Sequence, residues 1–503
     1  MLSRAIILKC RKNTLSDMAE QSLKDKTVKG TAWTAIESVL RYGVSFVVGI
    51  ILARLLSPDE YGLIGILAIF ITIFELIIDG GFINALIRKQ NAKEIDYCTV
   101  FWTNLILSVV MAGILFLGSG LIAYFFEREE LKSLTQVMSS IVVINAFSLV
   151  QKARLTKVLD FKTQTKVSVI AAVSSGLIGI WMAYADYGVW ALVAQQMSNA
   201  LIAAFLYLFF NRWIPQIQFS IESFREMWNF GWKVMLSGVF NGLSSQLYHA
   251  VIGKYFTPAS LGQYTRAYQF GSIFSGNLTS IIQRVTYPVL STIQDDPIRL
   301  KEAYRRVIKV TVFPTFILML FLAATAKPLI IVLLGEKWTE ASYMLQIICF
   351  SMMLFPLHAL NLNAIQVMGR SDLTLRINIV KNLLVIIPVI IGILFNLYWM
   401  LIAEVIKGCF CYYLNAYYSK PLLQYGIKDQ LRDILPSIYI SLGISVPVYL
   451  ISFIPLSSFI ILALQIILGG AWAFLLMNKT NLPEYIEIKS IVGEYLKLTT
   501  RHN

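Results

Sequence analysis

Two oppositely charged residues stand four positions apart inside the first long apolar segment of the chain. Glu37 precedes Arg41, and in a helix this spacing places both on one face, with the acid in the favourable N-terminal position. Within a membrane each ionised side chain would cost roughly 2.5–3.5 kcal/mol, so such residues pair with one another or serve function. Two interpretations stay open: the pair neutralises itself, or Arg41 binds an anionic group, since its planar guanidinium grips phosphate oxygens in pairs.

Carboxylates in later apolar segments offer a second kind of chemistry. Glu75 and Asp79 precede Gly80-Gly81, where the glycines permit a bend that Asp79 is expected to serve. Glu75 lies deeper and is the candidate for binding a coupling proton or sodium ion. Glu404 and Lys407, three apart, are expected to form a structural pair.

Two segments, 237–250 and 264–284, are rich in polar side chains. Small residues in them allow close helix packing, and the cations could simply extend to the membrane interfaces. The number of amides and cations exceeds what packing requires and favours the wall of a wet cavity that accommodates sugars. Besides Glu37 and Arg41, the candidate binding residues are Lys233, Asn241, His249, Arg266 and Arg284, accompanied by Gln246, Gln269, Asn277 and Gln283.

Metal and nucleotide chemistry find no support in the sequence. The five cysteines lack metal-ligand spacing, and the chain has only three histidines. Lys337 in "LGEKWT" lacks the glycine spacing that cradles phosphates in an ATP site. We therefore predict no cofactor and no metal. No enzymatic activity is predicted either, because the sequence shows no large external loop that could hold catalytic residues.

The composition is that of an integral membrane protein. Hydrophobic residues make up 57% of the 503 residues and charged residues 14%, against about 25% charged in soluble proteins. No cleavable signal peptide is recognised, because the first apolar run is too short. The net charge of +14 predicts membrane topology rather than nucleic-acid binding.

A spanning helix needs roughly 20 mostly apolar residues, which predicts an all-α polytopic protein with about 14 transmembrane helices. Lysine and arginine concentrate at every second connection, so both termini are expected to be cytoplasmic. The basic, amphipathic loop 284–309 is expected to lie along the inner leaflet. The predicted spans are 31–53, 60–79, 98–125, 133–151, 165–185, 187–210, 230–253, 261–283, 309–333, 341–367, 374–395, 397–418, 434–453 and 456–477.

One short sequence pattern occurs twice in the chain. "ARLLSPDEYG" (53–62) and "GKYFTPASLG" (253–262) match at an offset of 200, and a weaker echo links "LDFKTQ" (159–164) to "SDLTLR" (371–376). Because six spans separate the copies, they predict a parallel repeat of two six-helix bundles plus two extra C-terminal helices. The predicted organisation is a basic cytoplasmic tail (1–30), an N-terminal bundle (31–212), a cytoplasmic linker (213–229), a C-terminal bundle (230–420), an extra helix pair (421–478) and a cytoplasmic tail (479–503).

Several motifs in this order resemble bacterial polysaccharide flippases. The closest resemblance is to the lipopolysaccharide O-unit, colanic acid and teichuronic acid exporter branch of the multidrug/oligosaccharidyl-lipid/polysaccharide superfamily, and it runs from about residue 25 to residue 420. The motifs are "LLSPDEYGLIGILAIF", "IIDGGFINALI", "LGQYTRAYQFGSIFSGNLTSIIQRVTYPVLSTIQDDPIRLKEAYRR", "LLGEKWTEAS" and "NAIQVMGRSDLTL".

This resemblance implies a bacterial cytoplasmic-membrane protein that moves a polyprenyl-pyrophosphate-linked oligosaccharide outward by alternating access. The implied partners are the lipid-linked substrate and the polymerase or glycosyltransferases of the same pathway, with no nucleic acid, and a monomer is expected. Two alternatives remain: a drug or cation exporter of the same superfamily, which would want an acidic cavity, and a membrane-bound glycan polymerase or ligase.

Overall fold

The structure, a computed structural model, describes residues 43–490, apart from the side chains of Ser371 and of several residues between 277 and 289. Within that range the chain forms α-helices joined by short connections, with no β-strand. It divides into two compact units whose boundary lies between Ala250 and Val251. We call residues 43–250 the N-unit and residues 251–490 the C-unit.

Helices follow one another along the whole described chain. The N-unit contains α1 (Gly43–Leu55 in its described part), α2 (Pro58–Asp79), α3 (Phe82–Arg88), α4 (Glu94–Phe126), α5 (Glu130–Lys157), α6 (Phe161–Tyr184), α7 (Val189–Asn211) and most of α8 (Ile221–Tyr255). The C-unit contains α9 (Pro258–Ser291), α10 (Pro297–Leu334), α11 (Thr339–Met352), α12 (Phe355–Val367), α13 (Ser371–Leu384), α14 (Ile386–Leu394), α15 (Leu397–Leu423), α16 (Ile427–Ile451) and α17 (Ser458–Thr480).

Within residues 43–490, eleven helical stretches are long and apolar enough to cross a membrane. They coincide with the second to sixth and the ninth to fourteenth predicted spans, so the chain is an all-α, multi-pass membrane protein. The seventh and eighth predicted spans lie in α8 and α9, which are long but too polar to be assigned by composition. The first predicted span begins outside the described residues, and the total of fourteen stays a prediction.

The repeated turns are helix starts with the same chemistry. The Ser57 hydroxyl accepts a hydrogen bond from the backbone N–H of Glu60 at 3.4 Å, and the Thr257 hydroxyl accepts one from Ser260 at 3.1 Å. In each case the next residue is a proline at the first helical position, where its missing N–H would have had no partner. The offset of 200 therefore marks two equivalent N-caps.

The second, weaker sequence similarity lies beside two helix ends that have the same hydrogen bonds, but their offset along the chain differs from the predicted one. α5 ends with backbone N–H groups of residues 158–160 bonded to carbonyls of 154–156, and α12 ends with those of 368–370 bonded to 364–366. These two terminations match at an offset of 210, whereas the sequence echo had an offset of 212. The left-handed position is Leu159 in the first copy and Gly369 in the second, so side-chain similarity could not fix the register.

Two glycines end α2 and let another helix approach. Gly80 and Gly81 have φ angles of +54° and +70°, which glycine adopts without steric cost. A Cβ atom on Gly81 would lie 2.3 Å from the carbonyl oxygen of Gly231 in α8. The backbones of α8 and of the α2–α3 break therefore touch directly.

The connection between α7 and α8 is hydrogen-bonded to side chains of α4 and α5. Gln151 donates to the carbonyl of Trp213 at 2.8 Å, Trp102 donates to that of Gln216 at 2.8 Å, and the backbone N–H of Ser220 donates to Thr99 Oγ1 at 3.0 Å. α8 begins at Ile221, so about half of the predicted linker 213–229 is helical.

The prediction for loop 284–309 is wrong in its described part. α9 continues to Ser291 and α10 begins at Pro297, so only a short turn separates them. The apolar face of residues 297–308 is buried in the C-unit core, where Leu300, Tyr304 and Ile308 are each 0% exposed. The segment is amphipathic because it packs against protein rather than against a leaflet.

The last two long helices are attached to α10. Asp433 of α16, 5% exposed, accepts a hydrogen bond from Arg305 Nη2 at 2.6 Å and one from the Tyr425 hydroxyl at 2.8 Å. Burial, followed by the neighbouring Asp433 carboxylate, raises the pKa of Tyr425 above its ordinary value. Its hydroxyl therefore stays protonated and can donate this bond.

Candidate polar sites within the membrane helices

Three of the predicted site residues lie outside the described part of the chain. Glu37 and Arg41 precede residue 43, and the side chain of Arg284 is among those of α9 that are not described. Their assignments stay predictions.

Glu75 has one neutral polar partner from a neighbouring helix. Asn145 Nδ2 of α5 donates to Glu75 Oε1 of α2 at 2.6 Å. Asp79, one turn later, ends α2 next to Gly80 and Gly81, and the backbone N–H groups of Ile83 and Gly81 act on its carboxylate. Asp79 thus lies at the bend, where it was expected, and the deeper carboxylate is held by an amide rather than by a cation.

The candidates on α8 have different environments. Lys233 and Asn241 are exposed, and the Lys233 ammonium lies 5.9 Å from the centre of the Trp232 ring. His249 is half-buried and hydrogen-bonds the backbone of Ser245 one turn earlier. Lys233 and His249, two of the side chains predicted to line a cavity, therefore have contacts within α8.

Arg266 is turned into the protein. It is 7% exposed, and its Nη1 donates to Gln269 Oε1 at 2.6 Å within α9. With so little exposed surface, Arg266 does not behave as a residue that merely reaches out to the membrane surface.

The C-unit also contains a group of ionisable residues that sequence reasoning did not assemble. Lys407 and Glu404 of α15 form an ion pair of 2.7 Å. The charges of Lys407 and Lys381, the latter from α13, both act on His358 of α12. His358 Nδ1 in turn lies 3.2 Å from Asn415 Nδ2.

Lys381 is not among the candidate residues that the sequence predicted. The structure places it ten residues into α13, where the charge of Lys407 on α15 acts on it. The available signal was a lysine within the predicted span 374–395. No group of three or more His, Cys, Asp or Glu able to hold a metal ion occurs among the described residues.

Two solved transporter structures share this fold. The fold superposes on the lipid II flippase MurJ in its inward closed conformation with a TM-score of 0.71, at 14% identity, covering 90% of this chain and 98% of that one. It also superposes on an inward-facing multidrug resistance MATE family transporter of the MOP superfamily with a TM-score of 0.60, at 14% identity, covering 78% and 99%. At these identities the likeness shows the fold alone.

Similarity of sequence shows the family. The chain is 25% identical to the lipopolysaccharide biosynthesis protein WzxC of Escherichia coli over 90% of both proteins. It is 27% identical to the succinoglycan biosynthesis transport protein ExoT of Rhizobium meliloti over 65% of this chain and 66% of that protein, and 25% identical to the teichuronic acid biosynthesis protein TuaB of Bacillus subtilis over 70% and 73%. Residues 51–343, more than half of the chain, match the polysaccharide biosynthesis protein family, and the chain therefore belongs to that family.

Proposed function

We propose that this protein is a flippase that carries a lipid-linked oligosaccharide across the cytoplasmic membrane for the assembly of a cell-surface polysaccharide. One observation carries the proposal: a chain of the polysaccharide biosynthesis family consists, over residues 43–490, of membrane helices joined by connections no longer than residues 212–220. Such a chain has the form of a membrane carrier, whereas chemistry on soluble precursors would call for a larger loop or domain.

The relatives support transport rather than synthesis. One of them is named a succinoglycan biosynthesis transport protein, and the structural neighbour with a TM-score of 0.71 is named a lipid II flippase. By the same reasoning the protein acts on its substrate without changing it chemically, and polymerase or glycosyltransferases of the pathway supply and consume that substrate.

The arrangement in the membrane extends the proposal. Both termini face the cytoplasm, two six-helix bundles alternate access, and a C-terminal helix pair completes the chain. Cationic side chains of the membrane helices, among them Arg41 and Arg266, hold the anionic part of the substrate, and Glu75 carries the coupling ion. Arg266 supports this assignment because it is a cation turned into the C-unit, with 7% of its surface exposed.

Deletion of the gene tests the function directly. We expect the completed oligosaccharide, still attached to its lipid, to accumulate and to be detected by mass spectrometry of extracted lipids. In spheroplasts the sugar should be protected from a membrane-impermeant oxidant such as periodate, because it stays on the inner leaflet.

The other functions give different outcomes. Loss of a polymerase or ligase would leave single repeat units exposed to the oxidant on the outer leaflet. Loss of a drug or cation exporter would leave the lipid-linked sugars at wild-type levels.

A further inference from the structure

Two lysines and one carboxylate lie in the middle of α13 and α15 of the C-unit, namely Lys381, Lys407 and Glu404. Glu404 is paired with Lys407, and among residues 43–490 Lys381 has no ion pair with a carboxylate. The charge that acts on Lys381 from the next helix is that of Lys407, which repels it.

Both lysines lie deep within their spans. α13 begins at Ser371 and α15 at Leu397, so at 1.5 Å per residue each lysine is about 15 Å from the start of its helix. The two helices pack against each other and are connected through α14 and a turn at residues 395–396. Measured from that turn, the depths of Lys381 and Lys407 differ by about 5 Å, which is within the reach of lysine side chains.

Lys381 points towards protein rather than lipid. It follows Ile377 and precedes Val385 at four-residue intervals, and these two are 1% and 7% exposed. Leu383, on another face of α13, is 61% exposed. Lys407 likewise precedes Gly408 and Cys411, which are both buried.

Uncompensated cations at this depth are costly, and in membrane proteins they mark pathways for substrates or ions. We propose that Lys381 and Lys407 form a binding site for a phosphate or carboxylate group of the transported lipid-linked oligosaccharide, with Glu404 as the counter-ion that this anion displaces from Lys407. This inference rests on the proposed function and adds Lys381 and Lys407 to the cations that hold the anionic part of the substrate. Tyr264 and Tyr268 of α9 both lie within electrostatic reach of Glu404, so the displaced carboxylate has hydroxyl groups nearby.

Binding to the purified full-length protein tests the site. The probes are farnesyl diphosphate, which carries the phosphate chemistry of a lipid carrier, and an oligomer of glucuronic acid, which carries the carboxylate chemistry of an acidic sugar. Binding is followed by tryptophan fluorescence. We expect Lys381→Met to weaken binding of one probe at least about tenfold, as expected for loss of a charged hydrogen bond, and Lys381→Arg to retain most of it. The probe that responds identifies the source of the anion.

Two further variants separate binding from folding. Arg376→Met removes an exposed cation of the same helix and should leave binding unchanged. Glu404→Gln removes the competing carboxylate and should tighten binding several-fold, whereas a merely structural ion pair would give weaker binding or unfolding. The melting temperature without ligand should rise in Lys381→Met, because an uncompensated buried charge is lost.

The results that overturn the site are equally definite. Wild-type affinity in Lys381→Met, or unchanged or weaker binding in Glu404→Gln, would overturn the assignment and leave the flippase function standing. Failure of wild-type protein to bind either probe would also overturn it, while the deletion strain decides the function independently.

Discussion

The N-unit and the C-unit share their packing and their turns. α4 packs on α5 as α10 packs on α11, α6 packs on α7 as α14 packs on α15, and α2 contacts α5 as α9 contacts α11 and α12. The caps at Ser57 and Thr257 begin equivalent helices. The comparison supports an internal repeat in which helix order and helix neighbours were kept.

The chemistry inside the two units differs. Glu75 of the N-unit is held by an amide, whereas the middle parts of α13 and α15 in the C-unit hold the two cations Lys381 and Lys407 with the carboxylate Glu404. A shared scaffold thus carries an acid in one unit and an excess of cations in the other. The difference indicates that the scaffold is constrained by packing, while the polar residues on it were free to take different roles.

The largest expected effect tests the packing that is peculiar to the N-unit. Gly81→Ala combines a left-handed backbone position, costing about 1–2 kcal/mol, with overpacking against Gly231 that costs typically 1–3 kcal/mol. We expect a destabilisation of about 2–5 kcal/mol, seen as loss of membrane-inserted protein and a lower melting temperature.

Gly271→Ala in the C-unit is the matched control. Its new Cβ atom would meet the Met352 sulfur at 2.7 Å, and a flexible methionine side chain can move away. Equal losses in the two variants would show that the close approach of α8 to Gly81 has no special importance.

The second effect concerns the helices that only the C-unit possesses. Asp433→Asn should weaken the attachment of α16 to α10 by about 1–3 kcal/mol, because it removes the buried charge that Arg305 pairs with. Arg305 itself is half exposed, so solvent screens the pair and keeps the loss below that of a fully buried one. Limited proteolysis should then release the C-terminal helices first. Arg306→Gln is the control, since Arg306 is 71% exposed and its pair with Glu487 should contribute little.

The third effect tests the repeat itself. Ser57→Ala and Thr257→Ala each remove one N-cap and should each cost about 1 kcal/mol. Thermal unfolding of the two variants should show similar losses, and the double variant should show their sum, because the sites are in different units. A loss in only one of them would mean that the two turns are alike in sequence but not in function.

The smallest effect on stability is expected at Glu75. Glu75→Gln keeps an oxygen that can accept from Asn145, so the melting temperature should change by little, while a role in ion coupling would make transport insensitive to the pH or sodium gradient. Transport that keeps its wild-type gradient dependence would remove Glu75 from the mechanism.

Much of the fold follows from the sequence because runs of about 20 apolar residues, helix caps and glycine pairs are local signals. The bends at Gly80 and Gly81 and the caps at Ser57 and Thr257 were predictable for that reason. The register of the second echo was not, because Leu159 and Gly369 fill the same backbone position with unlike side chains.

The candidate site was only partly predictable. Glu75 and Arg266 could be singled out one at a time as ionisable residues in spans, but Lys381 gains its meaning from Lys407 on another helix. Likewise, the amphipathic pattern of residues 297–308 is the same whether the partner is lipid or protein. Pairing between helices is the information that a single sequence does not contain.

The central claim is that the protein moves a lipid-linked oligosaccharide without altering it. Purified protein in sealed liposomes, with a polyprenyl-diphosphate oligosaccharide in both leaflets, should render the inner-leaflet sugar accessible to an impermeant oxidant added outside, while mass spectrometry finds an unchanged compound in a sample without oxidant. Protein-free liposomes should keep about half of the sugar protected. A lengthened or cleaved glycan, or protection equal to that in protein-free liposomes, would contradict the account.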